Sequence, residues 1–160
     1  MCIRDRATKD VDVLVAARSQ RKAVRALLAA FPHLQAEDHE VVTRLRDPET
    51  GTVVIDVMKP NQPLYRDALK HTHPVESEGQ TYSIPSLEMA LAMKFSAMIS
   101  LTRADEKKLY DAGDFIRVVK ANPDIDLKSL AALGELVYNG GGAEIVEKVR
   151  QVRAGERLRL

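Results

Sequence analysis

The run Val11-Asp12-Val13-Leu14-Val15 is apolar apart from one acid and predicts a buried strand that starts near Asp10. Ser19 stands where an N-cap belongs. The helix it opens runs to about Phe31, with Val24, Leu27, Leu28 and Phe31 on one side, and Pro32 stops it. His39 to Arg46 alternates weakly and predicts a strand. Asp47-Pro48-Glu49-Thr50-Gly51 has turn chemistry, and the β-branched run Thr52 to Met58 predicts the returning strand of a hairpin. Asn61 and Pro63 open a short helix to about Lys70. Glu78-Gly79 predicts a turn, and Thr81 to Ile84 a short strand. From Ser86 onward the pattern is helical: to about Leu101, then about 105–120, 127–138 and 143–153. Gly140-Gly141-Gly142 separates the last two helices as a hinge or a C-cap, because the Lys-Ser/Thr of a Walker-type phosphate loop does not follow it.

The expected fold class is therefore α/β (α+β), a small mixed sheet with flanking helices followed by a helical subdomain. The expected division is 7–85 for the sheet and 86–160 for the helices. No internal repeat is visible.

Composition narrows the function. With 24 basic and 23 acidic residues the formal charge is +1, which does not indicate a strongly electrostatic nucleic-acid binder. At 45% hydrophobic content and 160 residues, the chain is large enough for one well-covered core and too apolar to be disordered. The single Cys2 builds neither an internal disulfide nor a thiolate metal site. No apolar run reaches the roughly 18 residues of a membrane span, since Glu88 and Lys94 interrupt the best candidate. Five charges among the first ten residues do not suit a secretory leader, so the expected location is cytoplasmic and no membrane partner is expected.

The chemistry concentrates in carboxylates. Asp10 and Asp12 are two apart at a strand start, so they share a face while Val11, Val13 and Val15 take the other. Asp56 interrupts the most apolar strand, Val53-Val54-Ile55-Asp56-Val57, where an acid is costly unless it is ion-paired or ligates a cation. Three acids on neighbouring strands would form an oxygen-rich pocket of the kind hard divalent ions prefer. Two such ions about 4 Å apart activate a nucleophile and neutralise a leaving pyrophosphate. The plainer alternative is a turn-forming Asp-x-Asp and an ion-paired Asp56.

These segments resemble the nucleotidyltransferase superfamily of the DNA polymerase beta type, and within it small bacterial AbiEii-type toxins of toxin–antitoxin systems. The resemblance is carried by residues 6–15, RATKDVDVLV; by Val54-Ile55-Asp56-Val57; by residues 84–94, IPSLEMALAMK; and by Arg103, Lys107-Lys108 and Asp111-Ala112-Gly113-Asp114. It implies transfer of a nucleoside monophosphate from an NTP to an acceptor such as RNA or a protein, with an antitoxin as a further partner. It implies that Asp10, Asp12 and Asp56 ligate Mg²⁺ and that Asp56 also helps activate the acceptor hydroxyl. Lys94 would contact the triphosphate or the acceptor, with Arg6, Arg103, Asp111 and Asp114 in the same binding set. The family's Gly-Ser or Gly-Gly phosphate turn ahead of the first Asp is missing, for only nine residues precede Asp10 and none is Gly or Ser. Residues 1–6, MCIRDR, also resemble a spurious reading-frame leader. An N-terminal truncation is therefore expected, and a degenerate, non-catalytic nucleotide- or partner-binding member of the same fold is the alternative.

Other polar residues carry two readings each. Lys94 falls on the stripe Leu87, Leu91, Lys94, Met98 and Leu101, either as a cation reaching toward the acids or as a snorkelling lysine. Asp111 and Asp114 share a helical face and either line a cleft or pair with cations such as Arg103, while Leu109, Ala112, Ile116 and Val119 form the core stripe. His71 and His73 at a helix end suit capping or solvent better than a metal. The basic clusters at Arg18–Arg25 and Lys148–Arg159 lack interleaved aromatic residues and suit a solvated face better than RNA.

Overall fold

A computed structural model describes residues 11–158; Arg6 and Asp10 lie outside them. The architecture is mixed α+β, with six α-helices and two sheets among the described residues. The chain divides into two compact units at Leu69 and Lys70. The hairpin of residues 72–85 thus belongs with the helices, whereas the sequence division at 85 placed its segment with the first sheet.

In the first unit, β1 (Val11–Leu14), β2 (Gln35–Asp38), β3 (Val42–Arg46) and β4 (Val53–Met58) form a sheet in the order β1-β4-β3-β2. β1 and β4 are parallel, and the other pairings are antiparallel. Helix α1 (Gln20–Ala30) carries the chain from one edge of the sheet to the other. Its Val24, Leu27 and Leu28, at helical spacing, pack on buried Leu34, Leu45, Ile55 and Val57 together with Val13 and Val15. Ser19 makes no capping hydrogen bond, contrary to the sequence expectation, because a 3-10 turn over Ala17–Ser19 leads into the helix.

The hairpin turn forms as its residue types dictate. The Asp47 carboxylate accepts hydrogen bonds from Glu49 N at 2.8 Å and Thr50 N at 3.3 Å, and Gly51 takes the left-handed conformation (φ 69°). These bonds hold the Asp47 carboxyl below its usual range. Between Leu45 and Arg46 the β3–β4 register shifts by one residue, with Leu45 opposite Ile55 but Arg46 opposite Val53. Val54 is the extra residue, and it joins Ile55 in the core cluster.

A short helix, α2 (Pro63–Ala68), opens with proline and ends the first unit. The second unit begins with a two-stranded hairpin, β5 (Thr72–Ser77) and β6 (Gln80–Pro85), closed by Glu78 (φ 52°) and Gly79 (φ 74°). Four helices follow: α3 (Leu87–Met98), α4 (Asp105–Ala121), α5 (Leu127–Glu135) and α6 (Gly141–Ala154). Ser86 caps α3, its hydroxyl accepting from Met89 N at 3.2 Å. Asp126 caps α5 through Lys128 N and Ser129 N, while Glu88 accepts from Asp126 N at 3.2 Å and so ties the start of α3 to that of α5.

Two apolar stripes differ from the sequence reading. On α3 the buried residues are Met89, Leu91, Ala92, Phe95 and Met98, and Leu101 lies beyond the helix end, 97% exposed. On α4 the buried residues are Asp111, Ala112, Phe115 and Val119, and Leu109 points outward. The three glycines are neither hinge nor C-cap. Gly140 (φ 97°) is the N-cap of α6, and Gly141 and Gly142 form its first turn against the backbone of α5. The Glu135 carboxylate fastens this junction, accepting from Gly140 N and Gly142 N at 3.0 Å each.

A methyl group at Gly134 would lie 2.7 Å from the Gly141 carbonyl oxygen, so backbone must move to admit it. Gly134→Ala is therefore expected to destabilise the protein by about 1–3 kcal/mol despite its better helix propensity. A urea titration followed by circular dichroism checks this, and an unchanged midpoint would show that the helix junction is looser than described.

Candidate functional site

Asp12 and Asp56 are Cα partners on the parallel pair β1–β4. Partners in register project to the same face, and neighbouring strands lie about 4.8 Å apart, so the two side chains leave the sheet from adjacent positions on one face. The same row continues across the sheet, with Arg44 opposite Asp56 and Glu37 opposite Arg44. One line of four charges, acid–acid–base–acid, thus crosses the face opposite to α1.

Burial is uneven along this row. The Asp56 side chain is 15% exposed and Asp12 is exposed. Arg44 Nε lies 3.7 Å from Asp56 Oδ1, an ion pair too long for a hydrogen bond. The ion-pair explanation for an acid in this strand is therefore realised, by a residue the sequence reading did not single out. Glu37 turns to other partners: it accepts from Arg46 Nε at 3.0 Å and Nη2 at 3.2 Å, with His39 3.8 Å away. The Arg46 hydrogen bond holds the Glu37 carboxyl below its ordinary value.

Two adjacent carboxylates on one face are a donor set that suits a hard divalent ion. Among the described residues no group of three His, Cys, Asp or Glu side chains is arranged to hold a metal; Asp10 is outside them. Asp12 and Asp56 would thus be two of the three expected ligands. His71 and His73 do not sit at a helix end: His71 precedes β5 and His73 lies within it, exposed.

The second unit gathers the other expected residues. Lys94 Nζ donates to Asp111 Oδ1 at 3.0 Å and to Asp114 Oδ2 at 2.8 Å. Arg103 Nε lies 2.8 Å from Asp111 Oδ2, and Arg117 pairs with Asp114 one turn along α4. Asp111 is the buried member, its side chain 7% exposed, whereas Lys94 and Arg103 are 39% and 41% exposed. Asp111 occupies a core-facing position of α4 because its charge is met from two sides. The Lys94 ammonium is pinned by two carboxylates, which a simple snorkelling lysine would not be. Burial pulls its pKa down, but the hydrogen bonds to Asp114 and Asp111 more than reverse this and leave it above the ordinary value. For Asp114, burial acts upward and the Lys94 hydrogen bond downward, and the net direction is down.

No protein-family model matches the chain, and no curated protein matches it. Among solved structures it is similar to an antigenic nucleotidyltransferase-like protein from Paracoccidioides brasiliensis, at 21% identity and a TM-score of 0.47, over 88% of this chain and 75% of that one. Among the described residues no helix is long and apolar enough to cross a membrane.

The Lys94 cluster makes stability depend on acid. Asp114 is depressed below its ordinary 3.8, so its contribution is complete above that value and disappears as pH falls through the lower, folded one. Asp114→Asn should flatten the acid limb of a stability–pH profile, and an unchanged limb would assign it to other carboxylates. Lys94→Met removes two charge-assisted hydrogen bonds, one to a buried acid, and should cost about 1–3 kcal/mol at neutral pH by urea unfolding; no loss would mean that Arg103 alone satisfies Asp111.

Proposed function

We propose that this protein transfers a nucleoside monophosphate from an NTP to an acceptor, using Mg²⁺ held by Asp12 and Asp56, with Asp10 as a third ligand by the family resemblance alone. The observation that supports this reading best is the in-register pairing of Asp12 with Asp56 on adjacent parallel strands, which puts both acids on one face of the sheet. Bound there, the ion would neutralise charge on the triphosphate and polarise the acceptor oxygen. Asp56, the less exposed acid, would orient the acceptor hydroxyl and take its proton. By the family resemblance alone, Lys94, Arg103, Asp111 and Asp114 also belong to the nucleotide-binding set; within the second unit, Lys94, Arg103 and Arg117 set three cations against the two carboxylates of Asp111 and Asp114. Arg6 belongs to the same set by resemblance. RNA or a protein is the acceptor class, the cytoplasm the setting, and an antitoxin the further partner in a toxin–antitoxin pair.

A second reading has its own observation. Arg44 already supplies a cation to Asp56, as a nucleotide- or partner-binding member without catalysis would need. Incubation with α-labelled NTPs, Mg²⁺ and RNA or protein acceptors separates the two. Catalysis predicts label in the acceptor, reduced about a hundredfold or more by Asp12→Asn or Asp56→Asn. Label that is indifferent to both substitutions would remove the enzyme reading, and nucleotide binding by calorimetry without transfer would install the second.

A further inference from the structure

We infer that Arg44 is a positioning residue of the acidic site: its guanidinium steadies the Asp56 carboxylate and weakens the hold of the Asp12–Asp56 pair on a divalent cation. The inference rests on the metal-binding reading above. Three observations point to it. Register places Arg44 directly beside Asp56, in the row that Asp12 continues on the other side. The other acid beside Arg44, Glu37, is taken by Arg46 through two hydrogen bonds, so Arg44 is left to Asp56. Finally, the 3.7 Å separation makes the contact Coulombic without a directional bond, and Arg44 is 39% exposed against 15% for Asp56. The charge of the more exposed arginine thus acts directly on the less exposed carboxylate.

A positive charge at this range repels an incoming divalent ion and draws electron density from the oxygens that would ligate it. It also offsets the repulsion between two adjacent acids when no ion is bound. Arg44 thus exchanges cation affinity for order in the ion-free site. The opposite arrangement, in which Arg44 prepares Asp56 to bind the ion more tightly, predicts the opposite sign.

Mn²⁺ serves as the probe, titrated into the whole protein without nucleotide and followed by its electron paramagnetic resonance signal. Arg44→Gln should tighten Mn²⁺ binding on the order of tenfold, and Arg44→Lys should bind like the native protein. Mn²⁺ should also raise the melting midpoint of Arg44→Gln more than that of the native protein. Should the Gln variant fail to fold, Arg44→Met keeps the packing of the stem and makes the same comparison. Unchanged or weaker binding in the neutral variants, with Asp12→Asn still abolishing binding, would overturn the role of Arg44 and leave the metal reading standing. Absence of any Asp12-dependent Mn²⁺ binding in every variant would overturn both.

Discussion

The parallel pairing of β1 with β4 sets two carboxylates next to each other on a partly buried face. Like charges directly across a sheet repel, and a shielded carboxylate loses hydration, so this pairing creates an electrostatic demand that the neighbouring strands must meet. Arg44 on β3 meets it from one side. Beyond it, Glu37 and Arg46 form their own exposed pair. The polar face is organised outward from Asp12 and Asp56, while the opposite face is an ordinary aliphatic layer under α1. A sheet with one dry face and one charged face can hold an oxygen-rich site without loss of its core.

The second unit solves a similar problem with helices. Asp111 lies among core positions of α4, next to Ala112 and one turn from Phe115. Its burial is tolerable because Lys94 reaches it from α3 and Arg103 from the loop between them. Elsewhere this unit relies on close backbone approach. Gly134 on α5 faces Gly141 and Gly142 on α6, and Tyr138 between those helices lies 6.3 Å, centroid to centroid, from Phe95 of α3. Its hydroxyl bonds to Glu144, which pushes the Tyr138 pKa up to about 12.

Much of this was legible in the sequence. The strong periodicities placed β1, α1, β4 and all four later helices, and the turn chemistry at 47–51 and 78–79 marked two of the three hairpin turns. The missed strands, β2 and β5, are the ones periodicity cannot reveal. Gln35-Ala36-Glu37-Asp38 is fully exposed, and β5 carries Pro74 and Glu76 with no buried residue, so neither presents an apolar face. The stripes on α3 and α4 differ because Leu101 and Leu109 satisfy the helical spacing yet stay exposed, whereas Asp111 takes an inward position between Arg103, a partner the sequence offers, and Lys94, which the fold brings from α3. Arg44 was hidden for a different reason. Counting back from the turn, with Arg46 opposite Val53, pairs Thr43 with Asp56. The extra residue Val54 advances the register by one and delivers Arg44 instead.

That bulge has a consequence for how the hairpin can vary. Val54 separates two reading frames on one strand. On the turn side, pairing answers to the geometry of the loop; on the far side it answers to Leu45, Ile55 and Val57 buried beneath the sheet. A residue added to or removed from the turn at 47–51 changes pairing on the first side and leaves the charged row in register. A residue inserted between Ile55 and Asp56 has no such buffer: it would turn the carboxylate into the aliphatic layer and the Val57 side chain out toward the acids.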